Sequence, residues 1–325
     1  MNEIKTEPVL KLNDFKFTPG EYVPFQDREV CERVRKLSGA ELEKREAWWH
    51  PEFNVKVMMN PHPVLISTLF ARLKAASEAG KKFTMILGNP EPDTYIPLAQ
   101  LINYFGVDCS KVHIFAEDEW ADDAGNIAPE TYEAGFVHSL LKYFVYQIDP
   151  KLRMPLENVH YPTNENIDHY SDLINDISEG GADIISTSPG WTGHTAFVDP
   201  VPEFVRDNVE EWLSLTARRV KLHPLTVAQN SLHGVFGQSG YVQAVPPCAA
   251  TIGPIDVARA KERIEVHALL TNCTFSSWQR MTSRLVTHGP VTPLVPSTML
   301  QTMKTQVYIS DEVAAPFDCW EKVGY

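Results

Sequence analysis

A histidine that follows a glycine turn is the strongest indication of chemistry in this chain. His194 stands in the segment 188–200, SPGWTGHTAFVDP, with Asp199 five residues further on. An imidazole titrates near neutral pH and can give or take a proton. The apolar run 182–186, ADIIS, predicts a buried strand before this turn. Such a strand places the histidine at the carboxyl edge of a sheet, where α/β proteins bind ligands. Asp199 would either orient the imidazole or cap the element before Pro200.

Acidic residues directly follow another predicted strand. The run 112–116, VHIFA, leads into Glu117, Asp118 and Glu119. A carboxylate at such a position can act as a general base, whereas flanking acids commonly serve structure or form the wall of an acidic site. Further polar clusters follow other strands, at 88–91, 271–272 and 311–312. Because parallel strands end at one edge of a sheet, we expect these loops to converge on one site.

Extended and helical patterns alternate along the chain after residue 55. The predicted strands are 83–87, 112–116, 182–186, 249–252, 265–270 and 306–310. The predicted helices are 65–76, 98–105, 129–147, 166–178 and 209–213. This alternation predicts an α/β fold with a largely parallel sheet covered by helices on both faces. Residues 1–55 are polar and charged, so we expect an N-terminal extension packed on a single domain of residues 56–325.

The charge balance excludes some classes of partner. The chain contains 29 lysines and arginines against 42 aspartates and glutamates, a net charge of −13. This charge argues against nucleic acid or an anionic membrane surface as the main partner. The five cysteines form no C-x-x-C pair, and the start of the chain lacks the layout of a signal peptide. We therefore expect a cytoplasmic protein with reduced thiols and no membrane-spanning segment.

Metal and cofactor sites have little support in the sequence. No H-E-x-x-H motif and no cysteine cluster is present. A metal bound by Glu117, Asp118, Glu119 and His194 is therefore not expected. The glycine-rich run 234–240 lacks the spacing of a dinucleotide-binding fingerprint. We predict no metal and no cofactor.

Several short segments, taken together, carry a resemblance to a known family. They occur in the order EDEW (117–120), PETY (129–132), TGHTAFVDP (192–200), QNS (229–231), HGPVT (288–292), PSTMLQ (296–301) and DEVAA (311–315). The series resembles the M-D-E-Y, P-x-S-Y, D-G-H-I-A-F-N-E-P, A-N-S, E-G-P-V-T, P-A-S-x-L-Q and D-E-A-A segments of the glucosamine-6-phosphate deaminase/isomerase family. That family shares its fold with the 6-phosphogluconolactonases. The resemblance implies a three-layer α/β/α, modified Rossmann-like domain with a mostly parallel sheet.

The resemblance also implies catalytic roles. The aspartate at the position of Asp118 moves a proton between C1 and C2 of an opened amino sugar. The histidine at the position of His194 helps to open the ring, supported by two acids. One of those acids is replaced here by Thr192, which can orient the imidazole but cannot take its proton near pH 7. The other is Asp199, one methylene shorter than the glutamate of the family.

The resemblance further predicts which residues contact the substrate. They are Gly88, Asn89, Glu119, Gly190, Trp191, Gly193 and Asn230. The phosphate-binding features of the family are missing, however. Its L-P-T-G-G-T-P loop is GNPEPDT (88–94) here, its arginine is Val227, and its lysine falls in TNCTF (271–275), which has none. We therefore expect a ligand that is not a conventional sugar 6-phosphate.

Three functions follow from this reading. The first is a sugar isomerase or deaminase that transfers a proton on an opened sugar or amino sugar. The second is lactone hydrolysis, because the segment 193–196, GHTA, also matches the lactonases. The third is a sugar-binding or regulatory protein that kept the pocket and lost turnover. In each case the partner is a small-molecule sugar or derivative, and analogy with the family suggests homo-oligomers.

Overall fold

The computed structural model describes residues 17–88, 90–269 and 276–316. The strands are β1 Phe53–Met58, β2 Phe83–Leu87, β3 Val112–Ala116, β4 Asp118–Ala121, β5 Val159–His160, β6 Ile184–Thr187, β7 Arg218–Lys221, β8 Cys248–Thr251, β9 Glu262–His267 and β10 Thr305–Ser310. The helices are α1 Arg28–Val34, α2 His62–Glu78, α3 Pro92–Phe105, α4 Phe136–Tyr143, α5 Tyr170–Ser178, α6 Val209–Leu213, α7 Pro224–Asn230, α8 Pro254–Arg259, α9 Gln279–His288 and α10 Asp311–Ala314.

A seven-stranded parallel sheet forms the centre of the fold, in the order β1-β10-β9-β6-β2-β3-β5. Helices cover both of its faces, because alternate residues of a strand point to opposite sides. On β2, Met85 and Leu87 pack with helices α2, α3 and α4, whereas Ile86 packs with α5 and α8. The predicted three-layer α/β/α architecture with a mostly parallel sheet is confirmed.

A second, antiparallel sheet has the strand order β4-β8-β7. Its strand β8 corresponds to the predicted strand 249–252, which we had expected in the main sheet. Asp118 pairs with Thr251 across β4 and β8, so the acidic residues after β3 begin a new strand instead of forming a loop. A short run of buried residues such as 249–252 is compatible with a strand in either sheet. The sequence therefore could not show to which sheet this strand belongs.

The predicted helix 129–147 begins later than expected, at Phe136. Residues 129–135 form turns, and Gly135 packs tightly there. A Cβ on Gly135 would lie 2.9 Å from the carbonyl oxygen of Tyr132 and 3.0 Å from a carboxyl oxygen of Glu119. The helix therefore starts at the point where Glu119 can accept hydrogen bonds from its first N–H groups.

The N-terminal residues pack on helix α9. The buried Trp49 donates a hydrogen bond from Nε1 to the carbonyl oxygen of Thr287 at 2.8 Å, and its ring contacts His288 edge-on. Arg33 donates to the carbonyl oxygen of His288 at 2.8 Å. The edge strand β1 already begins at Phe53, and the division of the chain at residue 55 stays a prediction. None of the helices in the described ranges has the length and apolar character needed to cross a bilayer.

Candidate active site

The turn after β6 presents His194. Gly190 donates its N–H to the carbonyl oxygen of His194 at 3.0 Å, and Gly193 donates to Gly190 at 2.9 Å. Gly193 has a φ of +78°, which favours glycine. A Cβ on Gly190 would lie only 1.9 Å from His194 Nε2. The imidazole therefore rests directly on the backbone of Gly190, and a side chain there would displace it.

A buried carboxylate holds the other side of the imidazole. His194 is 4% exposed and Asp199 is fully buried. His194 Nδ1 lies 2.8 Å from Asp199 Oδ1. Because a carboxylate can only accept, we assign the ring proton to Nδ1. This leaves Nε2 as the ring nitrogen that can exchange a proton with a ligand.

Asp199 is held as an anion by further donors. Thr192 and Thr226 each donate a hydroxyl to Oδ1 at 2.8 Å, and the N–H of His223 donates to Oδ2 at 3.1 Å. Burial alone would raise the pKa of Asp199, but the adjacent His194 and these hydrogen bonds lower it overall. Thr226, on α7, has no counterpart in the sequence prediction, because no local pattern shows that it reaches the histidine turn.

Asp118 begins β4 and faces the same space as His194. Its carboxyl accepts the N–H of Phe197 at 3.2 Å and a hydrogen bond from Thr251. Burial raises the pKa of Asp118 to about 7, despite these bonds and the nearby imidazole of His194. The two side chains line one cleft at the carboxyl edge of the main sheet. The cleft thus combines a carboxyl that titrates near neutral pH with an oriented imidazole.

The other predicted contact residues divide into two groups. Gly88 and Asn230 line the cleft, while Asn89 lies outside the described residues. Thr192, Gly190 and Gly193 form the support of His194 behind it. Glu119 caps α4 instead, where it accepts the N–H groups of Phe136 and Val137 at 3.3 and 2.8 Å. The half-exposed Trp191 borders a neighbouring apolar groove and stacks on Trp278 with ring centroids 5.8 Å apart.

Glu91, from the polar cluster 88–91, lines the cleft as expected, together with residues that the sequence did not single out. They are His62, Tyr95, Gln229, His233 and Trp278. They come from distant segments and are brought together only by the parallel sheet. In the described part of the chain, the lining contains carboxyl groups but neither lysine nor arginine. Among the described residues, no three His, Cys, Asp or Glu side chains are grouped so that they could hold a metal ion.

Some known proteins are similar to this chain in sequence or in fold. No model of a known protein family matches the chain. It is 24% identical to a glucosamine-6-phosphate deaminase from Alkaliphilus oremlandii (strain OhILAs) over 272 residues, which are 82% of this chain and 98% of that protein. It also shares the fold of a monomeric glucosamine-6-phosphate deaminase, with a TM-score of 0.63 at 18% identity over 80% of this chain and 98% of the other. The chain is therefore similar to glucosamine-6-phosphate deaminases in both sequence and fold.

A lactonase shares this fold as well. A 6-phosphogluconolactonase from Thermotoga maritima superposes with a TM-score of 0.54 at 11% identity, over 79% of this chain and 99% of that protein. The resemblance and the fold predicted from the sequence are therefore confirmed. The activity needs a further argument, because this likeness at low identity establishes the fold alone.

Four arginines whose positive charge could bind a phosphate group instead make hydrogen bonds to backbone carbonyl oxygens. Arg284 donates to the carbonyl oxygens of Leu37 and Val313 at 2.7 and 3.0 Å. Arg219 donates to the carbonyl oxygen of Gly125 at 3.0 Å. Arg218 and Arg280 also donate to backbone carbonyl oxygens. None of these four side chains lines the described cleft.

Proposed function

We propose that this protein is a sugar isomerase or deaminase that moves a proton on an opened sugar without a 6-phosphate group. One observation carries the proposal. Asp118 and His194 line the same cleft, and the imidazole is fixed through Nδ1 by the buried Asp199. A general base and an oriented acid–base group in one cleft suit proton transfer next to a carbonyl group.

The two groups would act in sequence. His194 Nε2 would exchange a proton with the ring oxygen, which opens the sugar to its aldehyde form. Asp118 would then take the proton from C2 and return it to C1, so that an aldose and a ketose interconvert without net proton loss. In an amino sugar, return of the proton to C1 of the enolamine intermediate would give an imine at C2, which would add water and expel ammonia to leave the ketose. A pKa of about 7 keeps Asp118 able both to accept and to return a proton at neutral pH.

The charge of the cleft supports a substrate without phosphate. Glu91, Glu117 and Asp118 line it. Each unit of negative charge on a phosphate at ~4–6 Å from one of these carboxyl groups in its ionised form would meet a repulsion of roughly 3–4 kcal/mol at an effective dielectric of about 20. The segment 271–275, TNCTF, adds no cationic residue to offset this repulsion. A neutral or cationic sugar avoids the repulsion.

Proton exchange in D2O tests the proposal. The protein is incubated with glucose, fructose and glucosamine, with their 6-phosphates and with 6-phosphogluconolactone, and NMR follows deuterium incorporation at C1 and C2. We expect exchange on an unphosphorylated sugar and a loss of at least 100-fold in Asp118→Asn. The matched control is Glu133→Gln, which changes an exposed acid away from the cleft.

Two outcomes contradict the proposal. Hydrolysis of the lactone without exchange on any sugar would identify a lactonase. Binding of a sugar without exchange, at an affinity unchanged in Asp118→Asn, would identify a binding protein.

A further inference from the structure

We infer that the cleft contains a binding site for an ammonium group, formed by Glu117 and Glu91 beside Gly88. The inference rests on the proposed function, because it takes a sugar in this cleft as the ligand. It names the class of that sugar: one that carries a positively charged amine at the end where the substrates of the family carry phosphate. The site lies on the segment after β2, at the position where the deaminase/isomerase family is expected to hold phosphate.

Glu117 is the main residue of the site. Its side chain lines the cleft and is only 5% exposed. Two hydrogen bonds hold its backbone. Its N–H donates to the carbonyl oxygen of Leu87 at 3.2 Å, and its carbonyl oxygen accepts from the N–H of Ile252 at 2.9 Å. Its buried Oε1 has no hydrogen-bond partner among the described residues. Buried polar atoms are rarely left without partners in folded proteins, so this oxygen is available to a ligand.

The backbone leaves room for this carboxyl group. A Cβ on Gly88 would lie 2.3 Å from Glu117 Oε2, so any other residue there would push the carboxylate aside. Tyr95 does not satisfy Glu117, since its hydroxyl donates to the carbonyl oxygen of Gly88 at 3.0 Å. Glu91 lines the same cleft from the start of α3. The missing side chain at Gly88 therefore leaves room for the Glu117 carboxyl group in the cleft that Glu91 also lines.

The charges around Glu117 are negative or neutral. Asp118 follows it on β4, and the buried Glu265 on β9 accepts hydrogen bonds from Thr187 and His267. Burial, then Asp118 and Glu265, raise the pKa of Glu117 well above its usual range. Burial and Asp93 raise the pKa of Glu91 to about 7. Burial, with a further contribution from the charge of Glu117, raises the pKa values of Tyr95 and Tyr170, so both side chains stay neutral.

Two histidines of the cleft, His62 and His233, do not supply a positive charge near Glu117. Burial and the neighbouring His194 lower the pKa of His233 to about 4. Burial also lowers the pKa of His62. His233 Nε2 is buried without a hydrogen-bond partner in the described chain, so this wall too has an unsatisfied polar atom. The raised pKa values of Glu117 and Glu91 favour the protonated carboxyl groups, whereas a bound cation would favour their ionised forms.

An ammonium group suits these partners better than a metal ion does. It carries three N–H donors and no acceptor, and so it complements carboxylate oxygens. Described side chains do not form a group of three metal ligands here. Because the raised pKa of Glu117 favours its protonated form, a bound ammonium group would ionise it and release a proton to solvent. Proton release distinguishes the amine site from a site for neutral hydroxyl groups.

Calorimetry of the unmodified full chain provides the first test. 6-Amino-6-deoxy-D-glucose is titrated at pH 7 in two buffers of different ionisation enthalpy. D-glucose is the neutral probe. We expect an amine to bind at least tenfold more tightly than its neutral match, with release of up to about one proton per molecule. Equal affinity of amines and neutral sugars, without proton release, would overturn the inference.

Charge-removing variants provide the second test. Glu117→Gln and Glu91→Gln should each weaken binding of the amine at least tenfold, which is about 1.4 kcal/mol. Proton release should fall in both, and affinity for neutral sugars should stay the same. Glu133→Gln, an exposed acid outside the cleft, should change none of these values. If Glu117→Gln does not fold, the inference is still tested by the number of protons that the unmodified protein releases on binding the amine and by the affinity of Glu91→Gln for the amine.

The two proposals can fail separately. Exchange at C2 of neutral sugars that depends on Asp118, without preference for amines, would overturn the ammonium site and keep the proposed function. Binding of amines with proton release, without exchange on any sugar, would overturn the proposed function and keep the ammonium site.

Discussion

The contact between Gly190 and His194 gives the sharpest mutational prediction. In Gly190→Ala, the new Cβ would lie 1.9 Å from His194 Nε2, whereas ordinary contacts begin at 3.4 Å. The imidazole must therefore move by about 1.5 Å, the difference between these distances. A displacement of about 1 Å in a catalytic group can cost 100-fold in rate. We expect kcat/KM for C2 proton exchange to fall at least 100-fold.

The assay needs a control for general effects of adding a methyl group. Gly234→Ala is that control, because a Cβ at Gly234 would meet no atom within 4 Å. Activity is measured by deuterium incorporation, folding by thermal unfolding, and the environment of His194 by its imidazole NMR signals. A Gly190→Ala variant that folds, with activity within threefold of the unmodified protein and unchanged imidazole signals, would refute the predicted contact.

Three further predictions concern the acids and the N-terminal packing. Asp199→Asn places an amide among the donors of Thr192, Thr226 and His223. We expect kcat, measured by steady-state kinetics, to fall about 10²–10⁴-fold. The free energy of unfolding, measured by urea denaturation, should fall by about 1–3 kcal/mol. Burial raises the pKa of Asp118 to about 7 in the folded state. The folded state therefore binds this proton more tightly than the unfolded state does, and the stabilisation that protonated Asp118 provides is lost as the pH rises from about 4 to 7. Asp118→Asn should therefore be more stable than the unmodified protein at pH 8, by at most about 4 kcal/mol, with a smaller difference at pH 4, as thermal melts at the two pH values would show. Trp49→Ala removes a buried ring and its bond to Thr287 and should cost about 3–5 kcal/mol in urea denaturation.

The local parts of the site could be predicted from the sequence. The glycine turn and the strand before it place His194 at the sheet edge, and Asp199 is only five residues away. Both features depend on interactions within a short segment. The apolar runs that became β2, β3 and β6 were recognised for the same reason, since a buried strand is encoded by consecutive residues.

The contacts between distant segments could not be predicted in this way. Thr226 reaches Asp199 from α7, and Asp118 pairs with Thr251 in the second sheet. Neither contact leaves a periodic pattern, because each depends on how separate elements pack. Likewise, the sequence shows that Glu117 is acidic but not that its Oε1 is buried without a partner. The character of the cleft wall therefore became visible only in the folded chain.

The most direct test compares one sugar with its own 6-phosphate. Glucosamine and glucosamine 6-phosphate are supplied together in D2O, and NMR follows deuterium incorporation at C2 of each in the presence of the unmodified protein. The acidic cleft around Asp118 and His194 predicts a kcat/KM at least tenfold higher for the sugar without phosphate. Faster exchange on the 6-phosphate would contradict the account.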